Sequence, residues 1–204
     1  PSLRAGDRYL VAMLPIVLGI VVGLLLVGLL LVFNRLVRLR NRVRESFSGV
    51  DVQLKRRHDL VPSLVETVKG YAQHEKSTLE DVVAARRDAQ AASAIPDKEA
   101  RETALGGAVR KLMLLAESYP DLKADRSFRS LQQDLVKIED DLQYARRYYN
   151  GTVRDYNTAQ STFPALLVAS WFGHREEPFF QVDDAGERAV PDVALGDASA
   201  NDGA

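Results

Sequence analysis

The chain has 204 residues, 27 Lys+Arg against 28 Asp+Glu for a formal net charge of −1, and no cysteine. The missing thiols exclude disulfides, thiolate nucleophiles and cysteine-held metals, and suit a reducing compartment. The length is enough for one domain with a real core once the two ends are set aside.

A short N-terminal segment, residues 1–8, leads into a run from Tyr9 to Phe33 with no charged residue. At ~1.5 Å rise per residue this run is long enough to cross the roughly 30 Å hydrocarbon core of a bilayer. It is too long for the apolar part of a cleaved signal peptide and ends in "FNRLVRLRNR" rather than at small residues, so residues 9–33 read as an uncleaved transmembrane helix. Arg35, Arg38, Arg40, Arg42 and Arg44 follow the run, whereas only Arg4 and Arg8 precede it. Basic residues resist translocation, which predicts a single-pass cell-membrane protein with its N-terminus outside and its C-terminal body in the cytoplasm. The same arginines stand at the height of anionic lipid headgroups. Gly19 and Gly23 form a GxxxG face that would let a second copy approach, a route to a homo-oligomer.

Beyond the span, apolar residues recur in steps of three and four at Val43, Phe47, Val50, Leu54, Val61, Leu64, Val68 and Tyr71. That period predicts a helix packed along one stripe. Within it lies "LKRRHDLVPSL", residues 54–64. On a helix Lys55 faces Asp51 and Arg56 faces Asp59, but Arg57 falls on the apolar seam. A buried guanidinium needs an acid from another helix, and Glu139 is the predicted partner in a structural ion pair. Pro62 lacks the N–H that would bond the His58 carbonyl, so the helix either bends there or is restarted by an Asp59 cap. Both alternatives make His58, Asp59 and Pro62 a joint. The local neutralisation of Lys55 and Arg56 and the apolar surroundings of Arg57 argue against a nucleic-acid face.

A second helix is predicted over 98–118, after the break "SAIPDK" with Asp97 as N-cap. "YPDLKAD" separates it from a third helix capped by Asp125, whose seam runs Phe128, Leu131, Leu135, Ile138, Leu142, Ala145, Tyr149, Thr152, Tyr156 and which ends at Phe163-Pro164. Nothing alternates with period two, so the fold class is all-α: a transmembrane helix followed by an antiparallel bundle of three to four long helices over residues 34–181.

Tyr149 and Tyr156, like Asn150 and Asn157, stand seven apart on common stripes of the third helix. They read as interhelical packing with hydrogen bonds, or else as a partner surface that grips a peptide. Trp171, Phe172, Phe179 and Phe180 crowd the next stretch. Packing over the bundle end accounts for them; a membrane-surface contact or a partner site is the other reading. Residues 182–204 carry six acids against Arg188 and no aromatic residue, a composition that predicts disorder.

No pattern carries catalysis. The three histidines, His58, His74 and His174, are far apart; "HEKST" lacks a second histidine; neither GxSxG nor GxxxxGK[ST] occurs. The expectation is a protein that works by binding, with the bilayer and another membrane or cytosolic protein as partners and with no enzyme activity, cofactor, metal or nucleic acid.

The segments "NRVRESFSGVDVQLKRRHDLVPSLVETVKGYAQHEKSTLEDVVAAR" and "ESYPDLKADRSFRSLQQDLVKIEDDLQYARRYYNGTVRDYNTAQSTFP" resemble the LemA family of bacterial membrane proteins over about residues 10–180. Arg56, Arg57, His58, Asp59, Pro62, Tyr149, Asn150, Tyr156 and Asn157 carry the motifs, and the acidic tail lies outside them. The resemblance implies a short extracellular N-terminus, one span and a long cytoplasmic helical bundle. It implies no agreed biochemical activity, but suggests a link to envelope maintenance and membrane proteolysis. A LemA-type scaffold or adaptor at the cytoplasmic membrane face is therefore expected, with an accessory role in envelope stress or membrane-protease quality control as the alternative.

Overall fold

The computed structural model describes residues 5–180; residues 1–4 and 181–204, with the acidic tail, lie outside the described residues. Every regular element among the described residues is an α-helix: α1 (Ala5–Tyr71), α2 (Lys76–Ala91), α3 (Ile95–Ala116), α4 (Pro120–Ala124), α5 (Arg126–Ser161) and α6 (Ala165–Trp171).

The longest element, α1, carries the apolar stretch and the first helix of the bundle in one piece of 67 residues. At 1.5 Å per residue it is ~100 Å long. Its most apolar 18 residues have a mean hydropathy of 3.2 and none is buried in the protein, so this part of α1 is a candidate membrane span. The expected joint at His58, Asp59 and Pro62 does not interrupt it. The reason is a side chain from elsewhere: Arg86 Nε in α2 donates to the His58 carbonyl at 2.6 Å, supplying the hydrogen bond that Pro62 cannot.

A break does occur where none was expected, at residues 72–75 between α1 and α2. Seam residues on either side, Ala72 and Leu79, are both buried. They lie seven positions apart, almost two whole turns, so the helical phase runs unbroken through a turn that reverses the chain. Asp97 also departs from expectation. The helix begins three residues earlier, with Ala94 as N-cap and Pro96 in the first turn, and Asp97 Oδ1 instead accepts from Arg101 Nε at 3.3 Å. Asp125 is the cap of α5, its side chain accepting from the Phe128 N–H at 2.9 Å.

Helix α5 runs antiparallel to α1: Tyr71 donates to Asp125 at 3.1 Å, and Ser46 and Thr152 hydroxyls meet at 2.7 Å. Helix α3 runs parallel to α1, with Lys98 Nζ 2.7 Å from Asp51 Oδ1. That contact replaces the Lys55–Asp51 pairing expected from helical spacing. The part of the bundle far from the apolar stretch therefore has four long helices around a core that includes Leu64, Val82, Leu112 and Phe128. The near part is built mainly by α1 and α5, around Val50, Leu142, Tyr149 and Tyr156, with Ile95 at the start of α3 packed against it and Phe180 closing it from the C-terminal segment. A small third cluster joins Leu36 to Val168 and Ala169 of α6.

Candidate functional site

A layer of charge separates the two main cores. Arg57 lies on the seam between Leu54 and Val61, and is 4% exposed. Its Nε is 3.0 Å from Glu139 Oε1, an ion pair by distance without an aligned N–H, and its Nη1 is 3.6 Å from Glu102 Oε2. Glu102 is 1% exposed, and its other oxygen meets His58 Nε2 at 2.7 Å. So Glu102, not Glu139, is the fully enclosed anion; the Glu139 side chain keeps 35% exposure. Gly106, one turn beyond Glu102, makes room for the guanidinium, since a Cβ there would fall 2.8 Å from Arg57 Nη2. Arg146 lies close by, and burial, reinforced by the Arg57 charge, pulls its pKa down.

The sequence carries a sign of Glu102. It precedes Leu105, Val109, Leu112 and Ala116 on the buried face of α3 in alternating steps of three and four, as Arg57 does on α1. A recess of about 300 Å³, lined by Asp51, Lys55, His58, Lys98 and Glu102, opens beside the layer. It is the one place among those described where a histidine and a carboxylate meet, and both groups are already engaged with each other.

The tyrosine–asparagine repeat forms a second construction. After α6 the chain turns through Gly173, at φ 68°, and residues 174–180 return along α5 without regular structure. Asn150 grips the backbone of Phe180 on both sides: its Nδ2 donates to the carbonyl at 2.9 Å and its Oδ1 accepts from the N–H at 2.8 Å. Asn157 does the same to Glu177, at 2.9 and 3.0 Å. Tyr149 donates to the Pro178 carbonyl at 2.8 Å, and burial pushes its pKa up to about 12, so it remains a donor. Tyr156 meets His174 Nδ1 at 2.9 Å. Arg40, one of the five arginines assigned to headgroups, is 3.1 Å from Glu177, whereas Arg35, Arg38, Arg42 and Arg44 are exposed.

The residues expected as a partner surface therefore separate. Tyr149, Tyr156 and Phe180 are buried, and Asn150 and Asn157 spend their amides on the chain's own backbone. They form an internal strap because the returning segment supplies the acceptors and donors that a partner would have brought. Trp171, Phe172 and Phe179 remain outside. Gly19 and Gly23 face open space within this chain.

His174 makes the strap sensitive to acid. Partial burial and then the Arg40 charge lower its pKa in the folded chain. As pH falls through ~6.5 the unfolded histidine takes up its proton first, so stability is present above that value and declines below it. Urea unfolding midpoints followed from neutral pH to ~5 will show this decline, and His174→Gln will flatten it. An identical slope in the variant would place the proton uptake elsewhere.

Known proteins are similar to this chain in sequence. Magnetosome protein MamQ 2 of Paramagnetospirillum magneticum is 27% identical over 85 residues, 42% of this chain and 31% of the relative. Magnetosome protein MamQ of Magnetospirillum gryphiswaldense is 23% identical over 188 residues, covering 79% of this chain and 69% of that protein. Protein LemA of Metamycoplasma hominis is 25% identical over 143 residues, 68% of this chain and 60% of the relative. The match to MamQ 2 thus spans about a third of that relative's length. The LemA family model matches residues 46–195, so it leaves out the apolar stretch and takes in part of the acidic tail, which the motifs had placed outside. That match covers the charged layer, the strap and most of the helical bundle, and the chain belongs to the LemA family.

Proposed function

We propose that this chain is a membrane-tethered scaffold that binds other proteins at the cytoplasmic face of the cell membrane and acts by binding rather than by chemistry. One observation carries the reading: α1 passes from the apolar stretch into the bundle core without a break, so the bundle is mounted stiffly on its anchor. The arginines that follow the stretch favour an outside N-terminus and a cytoplasmic bundle. At the far end, a groove of about 600 Å³ between α1 and α2 is lined by the apolar Val65, Leu79, Val83 and Ala84 and by Lys69, Lys76 and Arg87, with Glu80 the one acid among them. An apolar lining with a net positive charge suits an amphipathic, acidic helix from a partner.

The absence of cysteine gives a clean test. A Ser2→Cys chain will react with a membrane-impermeant maleimide in intact cells, and a Tyr144→Cys chain only after the membrane is opened. A photoreactive residue at Val83 will give a discrete protein adduct in those cells that Lys69→Glu with Arg87→Glu abolishes. Labelling of both cysteines from outside would overturn the topology, and no adduct at Val83 would overturn the groove as the binding face.

A further inference from the structure

Helix α6 has two apolar faces, and among the described residues only one is packed. Val168 and Ala169, with Ala165 beside them, pack against Val32, Phe33 and Leu36 of α1. At 100° per residue Leu166, Leu167 and Trp171 point the opposite way. They are exposed, Trp171 at 85%, and Phe163 just before the helix is 81% exposed. No Asp, Glu, Lys or Arg occurs between Asp155 and Arg175, so nothing charged interrupts this face.

The height of α6 identifies what covers it. Its contacts on α1 straddle the end of the uncharged run, with Val32 and Phe33 as its last residues and Leu36 just beyond Arg35, and the Phe172 ring lies 4.8 Å from the Phe33 ring. The exposed side chains of α1 before that point and the outer face of α6 are therefore one continuous apolar surface. Exposed arginines begin immediately beyond it, at Arg35 and Arg38. Tryptophan favours this boundary, where an apolar ring and a polar N–H both find surroundings that suit them.

Resting on the membrane-anchored reading, we propose that α6 is a second membrane contact: the face of Phe163, Leu166, Leu167 and Trp171 enters the acyl–headgroup boundary of the leaflet from which α1 emerges. A single helix through a bilayer is free to tilt and rotate; a second insertion beside it removes that freedom and sets the direction in which the bundle stands. The strap reinforces this, because it ties the chain after α6 back to α5.

Trp171 is the only tryptophan in the chain, so the wild-type protein carries its own probe. The full chain is reconstituted in vesicles of phosphatidylcholine and phosphatidylglycerol, and its emission compared with that in vesicles whose acyl chains are brominated near the headgroup. The proposal expects most of the emission to be lost to the brominated lipid, with little loss to aqueous iodide. Leu166→Gln with Leu167→Gln should weaken the lipid quenching while the chain still floats with the vesicles. A chain that floats but whose tryptophan is quenched by iodide and not by brominated lipid overturns the proposal. Protection from both quenchers also overturns it, in favour of a second copy covering α6. A chain that does not float with the vesicles defeats the anchored reading itself, and the proposal with it.

Discussion

Replacing Glu102 by alanine will lower the stability of the bundle by about 3–5 kcal/mol, the usual loss when one partner of a buried ion pair is removed. Arg57 and His58 would both lose their enclosed counter-group, and Glu139, the acid that remains for Arg57, is partly screened by water. Arg146 nearby would add repulsion rather than relief. The pair itself is a different matter from its halves. Arg57→Met combined with Glu102→Leu removes the two enclosed charges together and, although His58 and Glu139 each lose a partner, should restore most of the stability lost in Glu102→Ala. Urea unfolding of the detergent-solubilised chain, followed by circular dichroism, measures both variants against the wild type. A double variant as unstable as Glu102→Ala would show that the charges are not coupled.

What the layer contributes is register. Apolar residues seven apart make it easy for α1 and α5 to slip by one repeat, because Leu135, Leu142 and Tyr149 would still meet a seam. The slip is costly at Arg57, and also at Ser46, whose buried Thr152 partner would become Ala145 or Ala159. Seven positions beyond Glu139 is Arg146, and seven before it is Gln132, so a shift either way replaces an acid by a like charge or a neutral amide. Arg57 also has its space from Gly106 of α3, which fixes the third helix against the other two.

Much of this was legible beforehand, and the physical reason is the same in each case: burial leaves a mark at helical period. The stripes of α1, α3 and α5 and the anomaly of a cation at position 57 follow from spacing alone. The turn at 72–75 was hidden because its two flanks stay in phase, and α1's continuity through Pro62 was hidden because the compensating donor, Arg86, comes from another helix. Helix α6 is too short to show a period. The strap left least trace, since asparagine amides that hold backbone groups impose almost nothing on the side chains of the segment they hold.

The spacing of those asparagines still predicts what will happen when they are lost. Seven helical residues rise ~10.5 Å, and three extended residues span ~10 Å, so Asn150 and Asn157 match the backbone of Phe180 and Glu177 at both ends. Each asparagine closes two hydrogen bonds, worth together ~2 kcal/mol at about 1 kcal/mol apiece. Asn150→Ala with Asn157→Ala should therefore cost ~4 kcal/mol, enough to release residues 174–180 in the folded bundle. Released, they would uncover Phe180 from Phe47 and from the Arg146 guanidinium, 5.3 Å from its ring, and the near core would lose its C-terminal cover. Hydrogen exchange at the Glu177 and Phe180 amides reads this directly: both are slow in the wild type and fast in the double variant, while amides in the middle of α5 stay slow. Asn→Asp at either position separates the two halves of the grip, because the carboxylate still accepts from the N–H but cannot donate to the carbonyl. Its exchange should fall between wild type and alanine; amides that stay slow in the alanine double variant would show that the aromatic contacts alone hold the segment down.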